Sequence, residues 1–483
     1  MGSLEQANKY RNANRINKEE LPSFHVAPPV GWLNDPNGFS VYQGKIHLFY
    51  QYHPYNEKWG SMHWNHCVTE DFVKWEELPV ALAPDQLYDA SGCFSGSGLE
   101  TKEGHVLVYT GVMEKENGGG ITTVQNQCIA IGNGSVFTKE ERNPVVTGDM
   151  LPPGFSREDF RDPKVWKEEG CYYMVVGNKT VDGMPQVVLF RSEDLHNWRY
   201  VSVLAADRSR RFGSMWECPD FFSLNGMDIL MVSPMDMCAG GRFHNGNNSV
   251  CFLGTYDRKN HEFHIAKAIP LDEGLDFYAP QTVNAPDRRR ILIAWMQSPD
   301  SNIRPAGQRW SCMMTLPREL EIVDGELYQK PVREIEKYRR DPFFTQIEVT
   351  GELTLPEIKG RMLDLTVEIT GNDYRSFEIR FAQNEQFHTG LTYNREKNLL
   401  ELDRTFSGMV RDTASLRRVK AKNAGPRMKL RLILDKYSAE IFVNDGLQIL
   451  STTFYTPRDA ETVSFLCDGT ASVIIQKYTL AVD

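Results

Sequence analysis

Residues 32–38 read Trp-Leu-Asn-Asp-Pro-Asn-Gly, and an apolar, aromatic-rich strand is predicted shortly afterwards, at 47–53. The acid of this stretch is Asp35, and a proline follows it directly. The same order of features, an acid near a proline and then such a strand ten to twelve residues later, returns twice. The two further copies are Phe-Arg-Asp-Pro-Lys (160–164) before a strand at 172–178, and Trp-Glu-Cys-Pro-Asp (216–220) before a strand at 228–234.

The acids of the three copies are Asp35, Asp162 and Glu217. Equivalent positions in repeated units become equivalent in space, so the three side chains are predicted to converge. Three carboxylates at one point are a costly arrangement that folding alone does not require. Taken singly, Asp35 is most simply a turn residue and Glu217 an acid that ends a strand, while Asp162 could equally form a structural ion pair with Arg161. Their shared position in the repeat favours a functional site instead.

The repeat extends through the first two thirds of the chain. Strands of this type begin near residues 47, 106, 172, 228 and 291, at spacings of 59, 66, 56 and 63. Five units with a period near 60 predict a five-bladed β-propeller, each blade a small antiparallel sheet. The first strand of each blade would line a central channel, which places the segment ahead of each repeat strand at the channel mouth.

The pattern changes after residue 331. Residues 332–340 predict a short charged helix ended by Pro342, and the remaining chain alternates in short strands separated by tight turns. This second pattern is typical of a β-sandwich. The chain is therefore predicted to be all-β, with an N-terminal extension (1–22), a five-bladed propeller (23–331), a short helical linker (332–341) and a β-sandwich (342–483).

Composition excludes several classes of protein. A formal net charge of −10 argues against a general nucleic-acid binder, and no stretch approaches the roughly 18 apolar residues of a membrane span. The first twenty residues lack the apolar segment of a signal peptide. Nine cysteines without a Cys-x-x-Cys pair are typical of reduced thiols. A cytoplasmic location is expected, with a secreted form possible if a leader has been removed. The oligomeric state stays open.

The segments at the predicted channel mouth are polar or aromatic, as a site for a small sugar requires. Carboxylates accept hydrogen bonds from sugar hydroxyls, and aromatic rings cover the apolar C–H face. Hydrolysis of a glycosidic bond needs two carboxyl groups with different pKa values, one ionised and one protonated. Arg161, adjacent to Asp162, is expected to keep that third carboxylate charged.

The three acidic segments resemble the signature motifs of glycoside hydrolase family 32, which contains invertases, sucrose-6-phosphate hydrolases, inulinases and levanases. The resemblance runs in order from Trp32 to Pro317. The C-terminal region resembles the family's second domain more weakly. Further segments that resemble the family are 50–52 (Tyr-Gln-Tyr), 94–97 (Phe-Ser-Gly-Ser), 276–281 (Asp-Phe-Tyr-Ala-Pro-Gln) and 294–296 (Ala-Trp-Met).

The resemblance implies a retaining mechanism on β-fructofuranosides. Carried over by motif, Asp35 is the nucleophile that forms a covalent fructosyl-enzyme. Glu217 is the general acid and then the base, and Asp162 binds fructosyl hydroxyls. No metal or organic cofactor is implied. The residues expected to line the fructose pocket are Asn34, Gln51, Trp59, Phe94, Ser95, Arg161, Tyr278 and Trp295.

The expected function is hydrolysis of the fructosyl bond of sucrose or sucrose 6-phosphate, with a small sugar as the binding partner. An exo-fructanase acting on inulin or levan, a fructosyltransferase and a non-catalytic sugar-binding propeller are the alternatives. A retaining mechanism predicts that the carboxyls of Asp35 and Glu217 lie about 5–5.5 Å apart. The leaving group is expected near residues 235–248. Three arginines in predicted loops could contact a phosphate group of the substrate: Arg242, Arg304 and Arg309. The simpler interpretation is that they are solvated surface charges.

Overall fold

The computed structural model describes residues 3–482 except 302, 306, 410, 412, 423, 424 and 426. Most of this chain is β-strand. One α-helix, α1 (Leu4–Ala13), precedes the first strand. It begins after Ser3, whose side chain accepts a hydrogen bond from the N–H of Gln6 at 3.1 Å and so caps the helix. Short 3₁₀-helices lie at Lys18–Glu20, Leu87–Asp89, Gly148–Met150, Arg333–Tyr338 and Asn444–Gly446.

Five antiparallel sheets form the blades of a propeller, as the repeat predicts. Blade 1 contains β1 (Gly31–Tyr42), β2 (Lys45–His53), β3 (His63–Thr69) and β4 (Glu76–Leu82). Blade 2 contains β5 (Gly92–Thr101), β6 (Gly104–Asn117), β7 (Gly120–Gly132) and β8 (Phe137–Lys139). Blade 3 contains β9 (Phe155–Glu168), β10 (Cys171–Thr180), β11 (Pro185–Ser192) and β12 (Trp198–Ala206). Blade 4 contains β13 (Trp216–Leu224), β14 (Met227–Pro234), β15 (Val250–Asp257) and β16 (Glu262–Pro270). Blade 5 contains β17 (Tyr278–Asn284) and β18 (Arg290–Trp295) and, after the two-residue β19 (Trp310–Ser311), β20 (Arg318–Val323) and β21 (Glu326–Pro331).

The first strand of each blade faces the centre of the ring. Neighbouring inner strands contact one another in the order β1, β5, β9, β13, β17 and back to β1. Strand β19 pairs in parallel with β1 and so joins the connection of blade 5 to blade 1. The apolar strands whose spacing of about 60 residues predicted the blades are the second strands, not the inner ones. These second strands are buried on both faces and are therefore the most apolar in sequence.

The blades are held together by apolar side chains packed between neighbouring sheets. Between blades 2 and 3, for example, Val108, Ile129, Met174 and Phe190 belong to one buried cluster. Each such side chain contributes about 1.5–3 kcal/mol when fully buried. The inner strands are thereby held in a fixed ring.

The C-terminal domain is the predicted β-sandwich. Glycines at positive φ, Gly371 (106°) and Gly469 (109°), let two of its long strands bend from one sheet to the other. The first half of the long strand β23 pairs with β27, and its second half pairs with β24. Strand β30 pairs with β23 along both halves. The strands are β22 (Arg339–Lys359), β23 (Leu363–Gln383), β24 (Thr389–Asn394), β25 (Leu399–Asp403), β26 (Leu416–Lys420), β27 (Arg427–Asp435), β28 (Ser438–Val443), β29 (Gln448–Thr453) and β30 (Thr462–Leu480).

The linker differs from its prediction. The helix expected over 332–340 is a 3₁₀-helix over Arg333–Tyr338, and β22 begins immediately afterwards at Arg339. Pro342 therefore lies inside a strand and does not end the helix. The strand tolerates it because β22 pairs only with β30, and the register shifts between Arg340 and Phe343. The domain boundaries given above stay predictions.

Buried polar contacts bind the residues that precede β1 to both domains. Arg11 is 4 % exposed and donates from Nη1 to Asn65 Oδ1 at 2.8 Å, on blade 1. His25 lies between two carboxylates of the sandwich, with Nδ1 2.8 Å from Asp435 Oδ2 and Nε2 3.0 Å from Glu440 Oε1. These carboxylates raise the pKa of His25 to about 9, although burial alone would lower it.

The structure describes all nine cysteines, and each is a free thiol. Across the described residues, no helix combines the length and the apolar character needed to cross a membrane.

Candidate active site

In each of the five inner strands, the pairing with the second strand of the blade is interrupted near the predicted site segment. At each place the pairing with the second strand shifts register, which leaves one or two unpaired residues that turn their side chains out of the sheet. The shifts lie between Leu33 and Pro36, Phe94 and Gly96, Arg161 and Lys164, Glu217 and Asp220, and Tyr278 and Gln281. The predicted site segments are these five irregularities.

Four of the five irregularities contain a proline, including the three that carry an acid, and there is a local structural reason for this. A proline has no N–H to give to the strand ladder, so it suits a point where pairing is interrupted. Three residues in these irregularities also adopt a left-handed backbone, which is strained for a residue other than glycine. The prolines are Pro36, Pro163, Pro219 and Pro280, and the left-handed residues are Asp162 (φ 68°), Cys218 (φ 48°) and Ala279 (φ 50°).

The three acids meet around the thiol of Cys218. Its Sγ lies 3.7 Å from Asp35 Oδ2 and 3.6 Å from Asp162 Oδ2. The backbone N–H of Cys218 donates to Asp162 Oδ2 at 2.9 Å. Glu217 is the preceding residue, and its charge raises the pKa of both Asp35 and Asp162, so blades 1, 3 and 4 each bring one carboxylate to a single site.

Asp35 is held by a short relay of hydrogen bonds. Gln51 Nε2 donates to Ser95 Oγ at 2.7 Å, and Ser95 Oγ donates to Asp35 Oδ2 at 2.6 Å. Burial raises the pKa of Asp35 to about 6, and the nearby charge of Glu217 adds to this, whereas the Ser95 hydrogen bond opposes it. Gln51 Oε1 is buried without a hydrogen-bond partner, so a bound hydroxyl would satisfy it.

Both carboxylate oxygens of Glu217 are occupied. Arg161 donates from Nε and Nη2 to Glu217 Oε1, each at 3.0 Å, and the Tyr278 hydroxyl donates to Oε2 at 2.7 Å. The side chain of Glu217 is 19 % exposed and that of Arg161 10 %. Blades 3 and 5 thus fix the orientation of an acid that blade 4 carries.

The expectation that Arg161 keeps Asp162 charged holds in direction only: its charge lowers the pKa of Asp162, but its hydrogen bonds go to other carboxylates. Successive strand residues point in different directions, and the Arg161 guanidinium extends to Glu217 and to Asp159, whose Oδ1 lies 3.1 Å from Nη1. Burial raises the pKa of Asp162 to about 7, Arg161 lowers it only in part, and the charges of Glu217 and Asp35 raise it further.

Aromatic rings form the wall and the rim of the pit. Trp295 packs edge-to-face against Trp32 and Tyr278, with ring centroids 5.9 Å and 6.3 Å away. Trp59 is 55 % exposed and meets the edge of Phe94 at 5.8 Å. Asn34 accepts a hydrogen bond from Trp32 Nε1 at 2.8 Å. Every predicted pocket residue therefore lies on one of the irregular strands, on its neighbour, or on the loop at 54–62.

Sequence reasoning missed several residues that support the pit. Trp32 stands in the first motif and could have been selected, since it borders Asn34. Gln125 has no motif around it, yet its Oε1 accepts from the Phe160 N–H at 2.9 Å. Met235 opens the loop where the leaving group was expected, and its Sδ lies 3.5 Å from Arg161 Nη2.

Comparisons with known proteins agree with this architecture. Residues 25–331 match "Glycosyl hydrolases family 32 N-terminal domain", and residues 334–481 match "Glycosyl hydrolases family 32 C terminal". The chain is 35% identical to a sucrose-6-phosphate hydrolase of Zymomonas mobilis over 479 residues, which covers 94% of this chain and 91% of the relative. It is 35% identical to a raffinose invertase of Escherichia coli, covering 97% of this chain and 98% of the relative.

Among solved structures, a variant of a Bombyx mori GH32 beta-fructofuranosidase in complex with sucrose superimposes with a TM-score of 0.84. The identity is 31%, over 99% of this chain and 97% of the other. A propeller, a sandwich and a pit of crowded carboxylates, together with these relatives, define a glycoside hydrolase. The chain belongs to glycoside hydrolase family 32.

Proposed function

We propose that the chain hydrolyses the fructosyl bond of sucrose or of sucrose 6-phosphate, with net retention of configuration. The observation that carries the proposal is the meeting of Asp35, Asp162 and Glu217 around Cys218, in a pit edged with aromatic rings. The names of the relatives support the substrate class: a sucrose-6-phosphate hydrolase, a raffinose invertase and a beta-fructofuranosidase solved with sucrose.

In the first step, an ionised Asp35 oxygen attacks the anomeric carbon of the fructosyl group. A bond from carbon to carboxylate forms as the bond to the leaving sugar breaks, and Glu217 gives its proton to the leaving oxygen. In the second step Glu217 takes a proton from water, the hydroxide attacks the same carbon, and Asp35 leaves as carboxylate. Two displacements at one carbon restore its configuration, as in other retaining glycosidases.

The surroundings of each acid suit its proposed role. The Ser95 hydrogen bond favours the ionised Asp35 that attack requires. Arg161 and Tyr278 fix the Glu217 carboxyl, so its proton is delivered along one direction. Asp162 is buried beside both and would accept hydrogen bonds from fructosyl hydroxyls without touching the bond that breaks.

The decisive experiment replaces the nucleophile and a matched turn acid. Asp35→Asn should abolish release of fructose from sucrose. Asp194→Asn, in a surface turn of blade 3 where Asp194 Oδ1 accepts from the His196 N–H at 3.0 Å, should keep full activity. Substantial fructose release by Asp35→Asn would refute the assigned role. Methanol as acceptor reports the stereochemistry, because retention yields the β-fructoside.

Arg304 is the arginine through which a phosphate would be recognised. Arg242 is engaged elsewhere, since its Nε donates to the buried Glu273 at 2.6 Å. Arg309 donates to the carbonyl of Asn14 at 2.5 Å, on the N-terminal extension. Arg304 also donates from Nη1 to the Gln308 carbonyl at 2.7 Å, but its Nη2 lies 3.8 Å from Glu57, two residues before the rim residue Trp59, and this position near the rim is what selects it.

A kinetic comparison decides between the two substrates. If the 6-phosphate is recognised through this arginine, Arg304→Gln should raise KM for sucrose 6-phosphate and leave KM for sucrose unchanged. Equal KM values for both substrates in the wild type, and no selective effect of the variant, would show that the phosphate is not recognised and would contradict the role given to Arg304. A short fructo-oligosaccharide and inulin, measured beside them, test the fructanase alternative.

We also propose a cytoplasmic location. The nine free cysteines support it, because thiols persist unpaired in a reducing compartment. Cell fractionation with an activity assay on sucrose tests this location, and recovery of the enzyme mainly outside the cell would contradict it.

A further inference from the structure

The segment that leads into blade 5 is bonded to the edge of the sandwich. It runs from the end of β16 to the start of β17 and lies beside β29. The N–H of Glu273 donates to the Ile449 carbonyl and the N–H of Leu275 to the Ser451 carbonyl, both at 2.8 Å. Tyr278, which holds Glu217, is the first residue of β17 and follows this segment directly.

Asp276 ends the bonded segment, two residues before Tyr278. Its side chain is fully buried, and its Oδ2 accepts from the Thr453 N–H at 2.6 Å and from Thr453 Oγ1 at 2.9 Å. Arg404 Nη1 also donates to this oxygen. Oδ1 accepts from Ser301 Oγ at 3.3 Å. A buried carboxylate requires this degree of compensation, so its position is tightly fixed.

Arg404 belongs to the sandwich and is itself fully buried. Besides Asp276, it donates from Nη2 to Ser301 Oγ at 3.1 Å, in the connection that follows β18. Asp276 precedes β17 and Ser301 follows β18, and these two strands pair Tyr278 with Trp295. One guanidinium therefore holds both chain ends of the pit wall that carries Tyr278.

We propose that Arg404 is a positioning residue for the reaction. Through Asp276 it fixes Tyr278 at hydrogen-bond distance from Glu217, so the sandwich contributes to bond cleavage as well as to stability. The inference rests on the proposed role of Glu217 as the proton donor. A displacement of Tyr278 by about 1 Å would break its 2.7 Å hydrogen bond and release one side of the Glu217 carboxyl.

The same interface supplies a matched control. Asp272 lies on the same segment and is also buried against β29, with Oδ1 accepting from the Ser451 N–H at 2.9 Å. Its Oδ2 accepts from Arg318 Nη1 at 3.1 Å. It has the same chemistry as Asp276 and a similar degree of burial, but no hydrogen bond joins it to the connection after β18 in the described part of the chain.

The test compares four single variants with one double variant. The single variants are Asp276→Asn, Asp272→Asn, Arg404→Lys and Tyr278→Phe, and the double variant combines Asp276→Asn with Tyr278→Phe. For each, kcat and KM on sucrose are measured at a temperature where circular dichroism shows the variant folded. We expect Asp276→Asn and Tyr278→Phe each to lower kcat about tenfold, and the double variant to fall no further than Tyr278→Phe alone. Arg404→Lys, which keeps the charge but cannot contact both Asp276 and Ser301 in the same way, should lose less kcat than Asp276→Asn.

Asp272→Asn should lower the unfolding temperature as Asp276→Asn does, while its kcat stays within about twofold of wild type. The proposal is overturned if Asp272→Asn loses kcat equally, if the losses of Asp276→Asn and Tyr278→Phe multiply, or if Tyr278→Phe is fully active. A wild type that releases no fructose refutes the proposed function instead. An active wild type with an unimpaired Asp276→Asn refutes only the role of Arg404.

Discussion

The hydrogen bond from Ser95 to Asp35 should set the acidic limit of activity. With kcat/KM measured against pH, the acidic limb reports the pKa of an essential ionised group in the free enzyme. Asp35 has a pKa of about 6, raised by burial and restrained by the 2.6 Å bond from Ser95. Ser95→Ala removes the bond that favours the ionised form, so the pKa of Asp35 must rise and the limb must move towards alkaline pH.

The size of the displacement follows from the bond that is lost. A hydrogen bond to a charged group contributes about 1.5–3 kcal/mol. Since about 1.4 kcal/mol corresponds to a factor of ten in proton affinity, the limb of Ser95→Ala should move by about one to two pH units. Ser95 also belongs to the proposed pocket, so its loss can lower the maximal kcat/KM as well. The prediction concerns only the pH at which the acidic limb of kcat/KM reaches half of that maximum.

The matched control lies two residues further along β5. Ser97 is equally buried, but its Oγ donates to the Pro163 carbonyl at 2.8 Å and not to Asp35. Ser97→Ala should lower stability and leave the midpoint unchanged. The reasoning is refuted if the limb of Ser95→Ala superimposes on that of the wild type, or if Ser97→Ala moves it equally.

Three further outcomes are expected. Asp162 has a pKa raised to about 7 in the folded state, so its charge opposes folding as pH rises from about 4 to 7. Asp162→Asn should therefore increase the free energy of unfolding at pH 8 by about 2–4 kcal/mol, an advantage that vanishes near pH 4 in denaturant titrations, while fructose release is lost. His25 has a pKa raised to about 9, so its stabilising charge is complete below pH 6.5 and disappears as pH rises towards 9. His25→Gln removes the positive charge that lies between Asp435 and Glu440, although Arg318 still pairs with Glu440, and should cost about 3 kcal/mol at pH 6 and less at pH 9; an equal cost at both would contradict the ion pair. Trp59→Ala should raise KM for sucrose more than it lowers kcat, because the exposed indole stands at the rim beside Phe94, where we expect it to bind the sugar and take no part in bond cleavage; a loss confined to kcat would argue against a rim role.

The local features of the sequence predicted both domains and the three acids. The period of the apolar strands specifies five blades, because each blade must bury its own pair of faces. The acid and its proline mark the irregular point of an inner strand, because proline has no N–H to give to the ladder and suits a point where pairing is interrupted. These signals lie within about a dozen residues of one another, so a pattern along the chain is enough to detect them.

The sequence did not predict the type of helix in the linker or the direction in which the Arg161 side chain points. The linker at 332–340 has the composition of a helix, yet Pro342 continues a strand, because an edge strand has no partner on one side to require the missing N–H. Arg161 stands beside Asp162 in sequence, but its hydrogen bonds go to Glu217 and Asp159, because the packing of blades 3 and 4 decides which carboxylates lie within reach of the guanidinium.

By itself the sequence determined the ring, the second domain and the identity of the three acids, since each depends on spacing that repeats or on chemistry at a single position. Only the tertiary structure decided which partner each acid has: Ser95 for Asp35, Arg161 and Tyr278 for Glu217. The link from Arg404 to Asp276 spans 128 residues and joins two domains. Contacts of this kind arise where separately folded sheets pack against each other, and no pattern along one segment specifies which side chain the other sheet will place there.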